Sequence, residues 1–192
     1  MKKYYIIEGG NATGKSTLLD KLRSSLNNIT TIYSIPPEYN ILRNKTYKDW
    51  DNLSSLFFYI SANIEQLSKT KGEIVLSDRS IISTFSMYLS RINKSKWDKI
   101  LHIYNNILEL LPPINKIFLL IANEKSRLKR IQEKNGIAKE NDLDEIKYEV
   151  LKDEARKYLL DNSKINYEII DTSNLSIEDV FKRVKKSIKN EN

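Results

Sequence analysis

Gly9-Gly10-Asn11-Ala12-Thr13-Gly14-Lys15-Ser16 gathers three of the chain's five glycines and completes the pattern glycine, four residues, Gly-Lys-Ser. In such a loop, successive backbone N–H groups turn inward around a phosphate chain. The apolar run Tyr4-Tyr5-Ile6-Ile7 enters it, and Leu18, Leu19, Leu22 and Leu26 leave it at helical spacing, so the loop joins a strand to a helix. The helix beginning near Lys15 adds the positive end of its dipole. Lys15 is placed to follow the β- and γ-phosphates of a nucleotide as a point charge, and the Ser16 hydroxyl, next to Thr17, to ligate a bridging Mg²⁺.

Around this loop, five strand candidates alternate with helical segments: Tyr4 to Ile7, Ile29 to Ser34, Glu73 to Ser77, Lys116 to Ala122 and Asn166 to Ile170. The helical patterns cover about 15–27, 53–69, 80–91, 96–110, 124–134, 142–161 and 176–189. That alternation predicts an α/β fold of three layers with a five-stranded parallel sheet. The strands are short apolar runs without strict alternation, as expected where both faces of a sheet are covered. The chain of 192 residues suits one domain with a sizeable core. Its prolines sit as two pairs, Pro36-Pro37 and Pro112-Pro113, each beside a strand, where they punctuate loops.

Composition narrows the function classes. There is no cysteine, which removes disulfides and thiolate metal sites. The longest apolar run beyond the amino-terminal strand, Ile117 to Ala122, is far below the ~18 residues of a membrane span, so no membrane association is expected and the cytoplasm is the expected location. The net charge of +7 invites a nucleic-acid reading, but the lysines are interleaved with acids. The dense cluster Lys182-Arg183, Lys185-Lys186 and Lys189 reads as the solvated face of a helix. No stable nucleic-acid partner is expected; the expected partner is a small nucleoside or nucleotide. His102, alone among apolar residues, reads as structural.

Ligands of open parallel sheets gather at the carboxyl ends of the strands, so the residues following each strand carry the chemistry. After the third strand stands Asp78-Arg79: the carboxylate suits Mg²⁺, and the guanidinium suits a phosphoryl oxygen. No glycine lies three positions after Asp78, and Asn123-Glu124-Lys125-Ser126 lacks the guanine-reading pattern, which argues against a GTPase. After the second strand come Glu38 and Arg43. Transfer to a hydroxyl is helped by a carboxylate base such as Glu38, whereas transfer to an existing phosphate needs cations such as Arg43 and Arg79. Both are present, so the residues leave the acceptor open. Phe57-Phe58-Tyr59 with Asn63 and Gln66 lies on one predicted helix, where an aromatic ring beside an amide fits stacking on a base and reading its edge. The charged stretch from Glu124 to Asp144, with Arg127, Arg130, Lys134, Gly136 and Lys139, has the composition of a lid that closes over phosphates.

In chain order these elements resemble the thymidylate kinase branch of the nucleoside and nucleotide kinases over nearly the whole length. The resemblance rests on Ile7-Glu8-Gly9 through Ser16-Thr17, Asp78-Arg79, Phe58-Tyr59, and the tail Ile169-Ile170-Asp171-Thr172-Ser173 with Ile177-Glu178-Asp179-Val180. It implies ATP- and Mg²⁺-dependent phosphoryl transfer to a nucleoside monophosphate, dTMP or a related deoxynucleotide. It also implies Arg79 and Arg43 on the acceptor phosphate, Phe58 stacked on its base, Arg130 near the adenine of ATP, and a homodimer. Where the family carries Arg-Glu-Pro, this chain has Pro37-Glu38-Tyr39; where it usually has an arginine after the helix aromatic, this chain has Asn63. Asp78-Arg79-Ser80 is also similar to the Asp/Glu-Arg-Ser motif of deoxynucleoside kinases, an alternative in which Glu38 is the base. A P-loop protein that binds nucleotide to regulate or to contact nucleic acid is a further alternative.

Overall fold

β1 (Lys3–Gly9) occupies the centre of a five-stranded sheet in the order β2 (Ile29–Tyr33), β3 (Ile74–Asp78), β1, β4 (Lys116–Ile121), β5 (Tyr167–Asp171), every pair parallel. This computed structural model describes residues 2–33, 35–135 and 140–190. The helices among them are α1 (Lys15–Ser25), α2 (Asn40–Asp49), α3 (Asn52–Ser68), α4 (Ile81–Leu89), α5 (Trp97–Leu110), α6 (Glu124–Asn135), α7 (Glu140–Asp161) and α8 (Ile177–Asn190).

Strand alternation sorts the apolar residues into two cores. Tyr5 and Ile7 of β1 face Leu18 and Leu22 of α1 and Val180 and Val184 of α8. Tyr4 and Ile6 face the other side, beneath Leu56 and Ile60 of α3, Ile82 and Phe85 of α4, Tyr104 of α5 and Leu159 of α7. Both faces are therefore covered, which is why the strands read as unbroken apolar runs. None of the described helices is long and apolar enough to cross a membrane.

Register places the chemistry. Asp78 pairs with Ile7, and Leu120 with Gly9, so the ends of β3 and β4 flank the glycine loop that leaves β1. Neighbours lie on both sides of β1, which makes its carboxyl end the point where the chain switches direction across the sheet. A β-carbon on Gly9 would lie 2.2 Å from the Leu120 carbonyl oxygen, and its φ is 139°. Only glycine lets the loop leave the sheet this close to β4.

The five expected strands are present within a few residues of their predicted limits; the predicted end of β2, residue 34, lies outside the described residues. α2 and the 3-10 turns Pro37–Tyr39 and Lys94–Lys96 are additions to the sequence reading. Of the expected lid, α6 and the start of α7 are helical, while Gly136 and Lys139 lie outside the described residues.

Candidate active site

Two cavities open at the carboxyl edge of the sheet, and Asn11 and Arg79 line both. The first, of about 820 Å³, is walled by residues 11–17, Asp78 and Arg130. The second, of about 620 Å³, lies beyond Arg79 and is reached by Arg43, Tyr59, Glu149, Lys152 and Arg156. Each volume suits a nucleotide-sized ligand.

The glycine loop holds a tight nest before any phosphate arrives. Ala12 and Gly14 have φ of 58° and 94°, and the Thr13 hydroxyl and Lys15 Nζ donate to the Gly10 carbonyl at 3.0 and 2.7 Å. Burial, with Arg79 and Arg156 nearby, brings the Lys15 ammonium down to a pKa of about 7, partly opposed by Asp78. A polyphosphate would return the charge that burial suppresses. Asp78 shows the opposite shift: burial raises its pKa against the pull of Lys15 and Arg79. Its Oδ1 is buried without a hydrogen-bond partner. That orphaned oxygen, in the same cavity as the exposed Ser16, is the hard oxygen set a largely hydrated Mg²⁺ accepts, so these residues fit the metal.

At the far end of this cavity, Arg130 on α6 donates to the Ala12 carbonyl and the Thr172 hydroxyl, both at 3.0 Å, and to the Thr172 carbonyl. Leu175, Ile177 and Val180 supply an apolar wall beside it, as a base ring needs.

Arg79 stands between the cavities. Its Nη2 donates to Asn11 Oδ1 at 2.9 Å, and its backbone has a φ of 69°. The second cavity is strongly cationic: Arg43, Arg79, Lys152 and Arg156 face one carboxylate, Glu149. Glu149 is already engaged, accepting the Asn11 N–H at 3.3 Å and Lys152 Nζ at 2.7 Å, with Arg156 Nη1 at 3.6 Å. Burial acts to raise its pKa, but these cations outweigh burial and hold it below the ordinary carboxylate value. Arg156 is wholly buried and pairs with Asp153 at 2.6 Å; Asp153 in turn pairs with Arg127. Arg127 and Glu149 fill the space of a Gly10 side chain, where a β-carbon would meet them at 2.6 and 2.7 Å.

The structure thus brings Asn11 through Thr17, Asp78, Arg79, Arg43 and Arg130 to the two cavities. It does not bring Glu38 there: that carboxylate is exposed on the 3-10 turn, with Lys69 Nζ 3.9 Å away. Phe58 is half-buried among the rings of Tyr39, Trp50 and Tyr59, and the neighbouring Tyr59 lines the second cavity instead. Asn63 is fully buried one turn from Tyr59, with neither amide atom hydrogen-bonded.

The sequence reading missed Glu149, Lys152 and Arg156. Their signal was available in the three- and four-residue spacing of Glu149, Lys152, Asp153 and Arg156, which puts four charged side chains on one helix face.

A sequence profile of the family described as thymidylate kinase matches residues 7–184. The chain belongs to the thymidylate kinase family. It is accordingly a P-loop nucleotide kinase, a phosphotransferase that uses ATP as phosphoryl donor. Curated proteins offer no match to the sequence.

Among solved structures, the fold is shared with a thymidylate kinase from Candida albicans at TM-score 0.76 and 17% identity, covering 99% of this chain and 92% of that one. It is shared also with a deoxyadenosine kinase from M. mycoides with bound dATP, at TM-score 0.69 and 18% identity, covering 97% and 99%. The same deoxyadenosine kinase with products dCMP and dCDP gives TM-score 0.71 at 19% identity, covering 97% and 99%. At these identities the likeness is one of fold.

Proposed function

We propose that this kinase transfers the terminal phosphoryl group of ATP to a nucleoside monophosphate, dTMP or a related deoxynucleotide. The observation that carries this reading is the charge of the second cavity: four cations against one carboxylate that is already paired. An acceptor phosphate brings its own nucleophilic oxygen and needs cations around it, whereas a nucleoside hydroxyl is helped by a free carboxylate. Glu38, the candidate base, lies outside both cavities.

In this reading Lys15 and the loop amides hold the donor phosphates, and Arg130 packs near the adenine. Ser16 and Asp78 hold Mg²⁺, which neutralises charge on the donor phosphates when bound. Arg79, standing between the cavities, grips the phosphoryl group in transit; Arg43 meets the acceptor phosphate, with Arg156 buried behind it among its own carboxylate partners. Tyr59 lies beside the acceptor base, with Phe58 behind it in the same aromatic cluster and the buried Asn63 one turn further along α3, outside the cavity lining. The expected assembly is a homodimer and the expected location the cytoplasm.

The test is turnover with Mg·ATP against all common nucleosides and their monophosphates, products identified by mass. ADP and one nucleoside diphosphate are expected. A monophosphate formed from a nucleoside would replace this reading with that of a deoxynucleoside kinase, and absence of acceptor-dependent turnover would leave a nucleotide-binding protein.

A further inference from the structure

The face of β1 that carries Tyr4 and Ile6 into the core carries Glu8 as well, since side chains two apart share a face. Glu8 is fully buried and lines neither cavity. A carboxylate is costly there unless it does something an apolar residue cannot. Its oxygens are committed to one place. Oε1 accepts the Ser80 backbone N–H at 2.8 Å and the Ser80 hydroxyl at 2.9 Å, and Oε2 accepts the Ser83 hydroxyl at 2.6 Å. Arg156 Nε balances its charge from 3.9 Å.

These contacts seize the chain immediately after Arg79, the residue whose φ of 69° is unfavourable for a side chain with a β-carbon. The rest of the turn is held as well. The Arg79 N–H donates to the Ile7 carbonyl at 3.1 Å, and the Ser77 hydroxyl donates to the Arg79 carbonyl at 2.5 Å. Two consecutive residues of β1, Ile7 and Glu8, therefore fix the backbone on both sides of Arg79. Relaxing that turn would swing the guanidinium away from Asn11 and out of the wall between the cavities.

We infer that Glu8 is a positioning residue for phosphoryl transfer: its buried carboxylate locks the turn after β3 in the conformation that aims Arg79 between donor and acceptor. The inference rests on the reading of Arg79 as the phosphate clamp. Glu8 touches no substrate; it acts through Arg79.

The test uses the full chain with Glu8→Gln, close to the same shape but offering one acceptor oxygen in place of two. Expected are a kcat lowered by about ten-fold or more and a KM for ATP within about two-fold. Equilibrium binding of dTMP and dAMP should weaken about five-fold or more, while binding of thymidine and deoxyadenosine, which bring no phosphate to Arg79, should hold within about two-fold. In an Arg79→Lys background, Glu8→Gln should lower kcat no further. Equal weakening of nucleosides and monophosphates, or multiplicative losses in the double variant, would reduce Glu8 to a structural anchor and overturn the inference. Should Glu8→Gln fail to fold by circular dichroism, Ser80→Ala, which removes one donor to Glu8, must show the same discrimination at smaller size, or the inference falls. Full activity in Arg79→Ala would overturn the clamp and Glu8 together; loss there with unchanged kinetics in Glu8→Gln would overturn Glu8 alone.

Discussion

At a φ of 69°, Arg79 occupies backbone space that costs an ordinary L-residue roughly 1–2 kcal/mol. Glycine would sit there without strain, so the side chain is what the position is kept for. Two substitutions separate the roles. Arg79→Ala should lower kcat by about 10² to 10³, since it deletes a charge that meets the transferred group, with ADP affinity retained by the glycine loop. Arg79→Gly should lose the same activity yet melt higher than Arg79→Ala, its ΔG about 1 kcal/mol greater in thermal unfolding.

Lys15 gives a pH signature at the same scale. With its pKa near 7 in the free protein, it is mostly protonated at pH 6 and mostly neutral at pH 8. Bound phosphate favours the cation, so nucleotide binding takes up a proton above neutrality and affinity falls as pH rises through 7. Folding responds in the opposite sense. Between about pH 7 and the unfolded lysine value of about 10.4 the unfolded state binds the extra proton, so the free protein's contribution from Lys15 improves as pH rises. Calorimetric titration with ADP at pH 8 in two buffers of different ionisation enthalpy should show uptake approaching about one proton. Equal heats after correction for the buffers would place Lys15 outside this titration.

The loop and Asp78-Arg79 were legible because their chemistry is local: a contiguous pattern and a strand end. The charged face of α7 was open to the same kind of local reading, but Glu8 and its pairing with Ser80 and Arg156 were not, because those partners stand about seventy to one hundred and fifty positions away and no local pattern encodes the pairing.

Among the elements, the strands were legible because burial on both faces leaves an uninterrupted apolar run, and α1 because its leucines repeat on one stripe. α2 escaped notice for the opposite reason. Thr46 is the only buried residue among its described side chains, so no apolar period marks the helix. It holds to α3 through slender means, the Ser55 hydroxyl donating to the Thr46 carbonyl at 3.2 Å, yet it delivers Arg43 and Asn44 to the acceptor cavity. An element with so little buried area exchanges its amide hydrogens through low-cost local opening. Hydrogen exchange across 40–49 should therefore be fast in the free protein and slowed by the acceptor monophosphate. An ATP analogue alone should leave it unchanged, because the donor cavity takes no residue from α2. Protection by the donor analogue alone would show instead that α2 responds to closure of the P-loop side.

For the molecule as a whole, the sheet accounts for both cavities and both cores, but among the described residues an apolar row on α3 is left uncovered. Leu53, Phe57 and Ile64 of α3 are 47%, 53% and 40% exposed, and their spacing puts them along one stripe of the helix, bordering the face that buries Leu56 and Ile60 in the core. Scattered exposed apolar residues are ordinary, whereas a row of them on one helix beside the acceptor cavity is what a helix-to-helix contact between two copies needs. Burying these side chains in a symmetric contact would count twice, once from each protomer, so a single charge placed in the row acts twice as well. Phe57→Glu should convert a dimer to a monomer in sedimentation or light scattering. The monomer should keep its far-ultraviolet dichroism, because the Phe57 side chain is exposed and is not part of the buried core. Its KM for the acceptor should rise more than its KM for ATP, since α3 carries Tyr59 on the acceptor side and contributes nothing to the donor cavity. A variant that stays dimeric would move the contact to another face, and a wild-type monomer would remove the homodimer from the proposal altogether.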